Sequence, residues 1–121
     1  MSKLIINYAP VSTGETKRNH LLFLDKNGYK VHYADNAESL VKCANNDPLT
    51  IIVHDAEHIR ECSEVLPTVP IIVLSKNTHF SFKLQEKYQD LTNIIFFRSE
   101  FDPIDTILET VKFIEKIEHE Q

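Results

Sequence analysis

The residues with most capacity for chemistry stand in one short run, His54-Asp55-Ala56-Glu57-His58. Two imidazoles four residues apart suit Zn²⁺ when both lie on one helix. Here His54 closes an apolar run and His58 lies beyond a turn, so a surface or capping role is expected and no metal. The remaining histidines, His20, His32, His79 and His119, are scattered. Cys43 and Cys62 have no CxxC spacing and no adjacent histidine, which predicts reduced, half-buried thiols in a reducing compartment. Ser12-Thr13-Gly14-Glu15-Thr16 could hold a phosphate through hydroxyls and backbone N–H groups at a helix start. The simpler reading of the same residues is an N-cap box. No GxSxG, P-loop or GxGxxG follows any apolar run, so the expectation is that the chain is not an enzyme.

The elements that must position these groups are legible from periodicity. Thr50 to Val53, Pro70 to Leu74 and Asn93 to Phe97 are continuously apolar, as strands covered on both faces are. Lys3 to Asn7 is a further strand, and Tyr29 to Tyr33 alternates polar and apolar as an edge strand does. Helical spacing fills the gaps. Ser12 to Lys26 turns His20, Leu21 and Leu24 to one face and stops at Gly28. Asn36 caps a helix bearing Ala37, Leu40, Val41 and Ala44, which Pro48 ends. A short helix between Glu57 and Leu66 is closed by Pro67. Phe80, Leu84, Tyr88 and Leu91 mark a fourth helical segment. In the last helix Asp102 is the cap, Pro103 takes the first turn, and Ile104, Ile107, Leu108, Val111, Ile114 and Ile117 form one stripe.

Five βα units in succession predict a parallel sheet with helices on both faces, in the flavodoxin-like order 2-1-3-4-5. One domain over 1–118 follows, and Glu115 to Gln121 turns polar, with 119–121 as a tail or linker start. Sites in such a sheet lie at the carboxyl ends of the strands. Those ends read Asn7-Tyr8-Ala9-Pro10, His54-Asp55, Leu74-Ser75 and Arg98-Ser99-Glu100-Phe101-Asp102-Pro103.

In these ends, KLIINYAP, IIVHD, PIIVLS and FFRSEFDP, the chain resembles the receiver domains of response regulators in two-component signalling, over nearly its full length. The resemblance puts Asp55 at the phosphoacceptor position, Ser75 at the switch hydroxyl and Phe96 at the aromatic switch. It also exposes departures. The acidic pair that holds Mg²⁺ is replaced by Asn7 and Tyr8, the lysine by Ser99, and Glu100 stands where proline would be. Phosphoryl transfer to a carboxylate relies on charge stabilisation by a metal and a cation, so these losses predict a degenerate, or pseudo-, receiver. No cofactor is expected, with Mg²⁺ needed only if Asp55 is phosphorylated. The resemblance further implies an interaction face on the fourth helix, fifth strand and fifth helix. Phe82 and Phe113 lie off the core stripes there, with Lys83, Lys87, Arg98, Glu109 and Lys112 as a polar rim.

Partner classes follow from charge. Thirteen basic against 18 acidic side chains, net -5, disfavour direct nucleic-acid or anionic-membrane binding. The N-terminal sequence lacks the pattern of a signal peptide and no apolar run is long enough for a span, which predicts a cytoplasmic protein. The expected function is regulatory: protein contact or dimerisation that controls an attached or separate effector, independently of phosphorylation. The alternatives are a working receiver phosphorylated on Asp55 and a flavin-binding module using the Ser12–Thr16 loop.

Overall fold

The computed structural model describes residues 3–8, 22–54, 58–75, 86–99 and 104–119. Among these, the strands are β1 (Leu4–Tyr8), β2 (Lys30–Ala34), β3 (Thr50–Val53), β4 (Ile71–Ser75) and β5 (Ile95–Ser99). They form one sheet in the order β2-β1-β3-β4-β5, and every neighbouring pair is parallel. This is the predicted architecture. Helices Leu22–Lys26, Ala37–Ala44, Ile59–Val65 and Ile104–His119 alternate with the strands. The N-terminal part of the first predicted helix, the Ser12–Thr16 loop, Phe80, Leu84, Asp102 and Pro103 lie outside the described residues.

Two apolar layers follow from the period of two along each strand. Ile5, Ile52, Ile72 and Leu74 face one side and bury Leu24, Ile107, Val111 and Ile114 against them. Ile6, Tyr8, Ile51, Val53, Ile71 and Val73 face the other side, against Leu40, Ile59 and Cys62. A fully buried aliphatic side chain contributes about 1.5–3 kcal/mol, so a one-residue slip that turned both layers over would be costly. The register is correspondingly specified, with Ile6 opposite Ile51 and Ile51 opposite Ile71.

Local signals set the joints. Gly28 ends the first helix at φ +90, where a side chain would be strained. Asn36 caps the next helix by accepting from the Ser39 N–H at 2.8 Å. That helix ends at Ala44, ahead of Pro48, and its predicted face is narrower than the sequence suggests. Leu40 is buried, but Ala37 and Val41 are exposed, Val41 by 50%, because the helix turns Leu40 and Cys43 to the sheet and leaves these two on its outer side.

Two more expectations need correction. β5 begins at Ile95, not Asn93, and Ile95, Phe96 and Phe97 are only half-buried. Its apolar run resembles a central strand, but it is an edge with a neighbour on one side. Asn93 is instead a buried anchor for the loop ahead of β4, donating to the Leu66 and Val69 carbonyls at 2.8 and 2.7 Å and accepting from the Ser63 hydroxyl. The last helix runs through the polar turn at Glu115 to His119, in line with the apolar stripe that extends to Ile117. Glu115 accepts from the Tyr29 hydroxyl at 3.2 Å through Oε1 and faces Lys3 at 3.8 Å through Oε2, so one of its carboxylate oxygens is hydrogen-bonded within the fold.

Candidate functional site

The parallel strands bring the exits of β1 and β3 side by side. Asn7 and His54 lie on one face of the sheet, 2% and 8% exposed. The His54 Nε2–H donates to Asn7 Oδ1 at 2.5 Å. An amide oxygen only accepts, so this pairing fixes the proton on Nε2. Both groups are polar and buried, and each satisfies part of the other's hydrogen-bonding capacity.

Tyr8 points to the opposite face and is fully buried in the apolar layer. Its ring meets His58 edge-on, with centroids 5.9 Å apart and planes at 81°. Its hydroxyl has no hydrogen-bond partner among the described residues. Burial first, and the Glu61 carboxylate second, hold the phenol protonated well above its usual range. His58 Nδ1 lies 3.4 Å from Glu61 Oε2 at the start of the Ile59–Val65 helix.

The histidine pair is thus divided. His54 bonds to the end of β1, and His58 faces Tyr8 and Glu61. No group of three or more metal-ligating side chains occurs among the described residues. Mg²⁺ requires several hard oxygen ligands. A buried protonated phenol and an amide oxygen already bonded to His54 do not form that set. Asp55 and Glu57 lie outside the described residues.

The remaining predicted positions are distributed along β4, β5 and the last helix. Ser75 and Ser99 end β4 and β5 directly opposite one another in the register. Arg98 lies in β5, opposite Leu74. Phe96 stands opposite Ile72 and packs on the layer of the last helix. Its ring meets Phe113 edge-on, with centroids 6.1 Å apart. Phe113 is 52% exposed, which decides for a surface aromatic over a broader core face. Phe96, Thr106, Glu109, Thr110 and Phe113 line an open groove of about 310 Å³. Lys112 is exposed next to Phe113. Phe82 and Lys83 lie outside the described residues, and Lys87 is exposed with its ammonium 5.5 Å from the Tyr88 ring.

Sequence reading missed one cluster. Arg60 makes a two-pronged bond to Asp90, at 2.9 and 3.0 Å, and donates to the Lys87 carbonyl at 2.7 Å. Its guanidinium also lies 5.3 Å from the centre of the Tyr88 ring. These partners are some 30 positions apart in the chain, and no local pattern joins them. The cysteines are both free: Cys43 is half-buried as expected, while Cys62 is fully buried. Burial, then Glu61, pushes the Cys62 thiol up to about 12.

No protein-family model and no curated protein sequence matches the chain. Solved structures do. Vibrio cholerae chemotaxis protein CheY4 aligns with TM-score 0.72 at 15% identity, covering 94% of this chain and 99% of that one. The N-terminal domain of a response regulator/sensory box/GGDEF protein from Carboxydothermus hydrogenoformans aligns with TM-score 0.67 at 15% identity, covering 96% of each chain. A Burkholderia pseudomallei response regulator, crystallised with a phosphorylated aspartic acid and a calcium ion, aligns with TM-score 0.65 at 17% identity. It is covered over 72% of its length, and this chain over 98%. The chain has the CheY-like, flavodoxin-like fold of response-regulator receiver domains.

Proposed function

We propose that this chain is a receiver-like regulatory domain of two-component signalling that acts without phosphoryl transfer, by contact with a protein partner or a second copy of itself. The observation that carries the reading is the state of the β1 exit. Where the resemblance calls for two metal-holding carboxylates, Asn7 is bonded to His54 and Tyr8 is a buried phenol in the apolar layer. Neither supplies the negative charge that would concentrate a divalent cation, and without cation or lysine the transfer to a carboxylate loses most of its catalysis. The domain then needs no cofactor of its own and is not an enzyme.

The contact surface in this reading is the groove of Phe96 and Phe113, with Glu109 and Lys112 beside it. An exposed aromatic packed edge-on against a half-buried one and rimmed by charges has the composition of an interface core and its edge. Addition of acetyl phosphate or fluoroberyllate with Mg²⁺ should leave the amide spectrum around Asp55 unchanged. Shifts centred there, absent in Asp55→Asn, would establish a working phosphoacceptor instead. Sedimentation and partner capture with Phe113→Ser test the contact surface. A monomer at high concentration that captures no partner overturns it.

A further inference from the structure

The outer face of the last helix carries its charges in a fixed order. Asp105, Glu109, Lys112, Phe113 and Lys116 are its exposed residues among those described. At the helical period they fall within an arc of about 100°, so one stripe holds them all. Glu109 and Lys116 lie near its midline, separated by about 10.5 Å along the axis. Between them stands Phe113, 52% exposed and held by its edge-on contact with Phe96. Like charges follow one another on successive turns, Asp105 with Glu109 and Lys112 with Lys116, an order that slightly destabilises a lone helix. The macrodipole favours charge only in the first and last turns, so it does not account for Glu109 and Lys112. Among the described residues none of these four charged side chains has an ion-pair partner, whereas Glu115 on the inner side faces Lys3.

We infer that this stripe receives a second copy of the chain, whose last helix lies on it antiparallel about a two-fold axis. The second copy is thereby the partner in the contact-surface reading, on which this assignment rests. A two-fold interface is isologous, so each contact between unlike residues occurs twice. In the antiparallel alignment Glu109 of each copy faces Lys116 of the other, giving two equivalent ion pairs. Near the axis each Phe113 ring meets the aliphatic stem of the opposite Lys112, an apolar centre inside a charged edge. A parallel alignment would set Glu109 against Glu109 and Lys116 against Lys116. The order of charge therefore selects the direction. The contact covers one face of a 16-residue helix, about 24 Å long, which suits a weak, concentration-dependent pair over an obligate one.

Sedimentation of the full chain over a range of concentrations, at low and high salt, provides the test. The chain should self-associate, and high salt should weaken the association because exposed ion pairs are screened. Glu109→Lys and Lys116→Glu should each weaken it by at least about tenfold, since either change creates two like-charge contacts. The double reversal, Glu109→Lys with Lys116→Glu, should restore it. An equimolar mixture of the two single variants should associate where neither does alone, which also shows that both are folded. A monomer at every concentration overturns the assignment, as does association indifferent to the single reversals. Failure of either the double reversal or the mixture overturns it too. In any of these cases, capture of a different protein that is lost in Phe113→Ser leaves the contact-surface reading standing, and absence of such capture in a monomer removes both.

Discussion

The two ends of the sheet's functional edge have opposite characters. At β1 and β3, the described polar groups are enclosed: Asn7 is paired with His54, and Tyr8 lies within the apolar layer. At β5 and the last helix, apolar groups are left open, with Phe113 half in solvent over Phe96. A domain that worked through chemistry at β1 would be expected to reverse this, with open charge at the strand exit and a closed sheet edge. The difference teaches that polarity and exposure have separated among the described residues, which supports the proposed reading of output through surface contact.

Substitutions can break or sharpen that contrast. The largest effect should come from Tyr8→Ala, which deletes a fully buried ring. A loss of about 3–5 kcal/mol is expected in urea unfolding, and a loss below about 1 kcal/mol would remove Tyr8 from the core. Asn7→Leu should come next. It leaves the His54 Nε2–H without its acceptor, at a cost of about 1–3 kcal/mol. Stability unchanged in that variant would show that the pair contributes nothing.

Alkaline pH provides an intermediate test of enclosure. The Cys62 thiol is raised from its ordinary value of 9.0 to about 12 in the folded chain. The unfolded chain therefore gives up this proton first, and stability should be complete below pH 9 and decline as pH rises toward about 12. Cys62→Ser should flatten that limb, and a thiol reagent at neutral pH should label Cys43 well before Cys62. Equal labelling rates would contradict the burial. The smallest effect on stability belongs to Phe113→Ser, within about 0.5 kcal/mol because the ring is half exposed. Its consequence should be read in association, where loss of binding with unchanged stability sharpens the contrast most.

The sheet order was legible because its signals are local and repeated. Apolar runs with period two, Gly28 and the Asn36 cap each act within a few residues. Boundaries drifted where tertiary context decides: β5 starts two residues later than its apolar run because Asn93 is recruited to the loop ahead of β4. The exposure of Val41 was hidden for the same reason, since the width of a helix's buried face is set by what it packs against. At the site, the substitutions at Asn7 and Tyr8 could be read from spacing and resemblance. Their partners could not. Asn7 meets His54 across 47 positions and Arg60 meets Asp90 across 30. Only the closed sheet brings such pairs together.

The placement of β1 between β2 and β3 has a consequence for synthesis. As the chain leaves the ribosome, Leu4–Tyr8 gains its first neighbour only after Ala34 has emerged, and its second only after Val53. Until then an apolar segment waits with both edges unpaired. Parallel crossovers impose such delays, and long-range pairing slows folding. Of the three interior strands β1 is nonetheless the first to gain both neighbours, since β3 waits for β4 and β4 for β5, so the sheet closes outward from β1 toward β5.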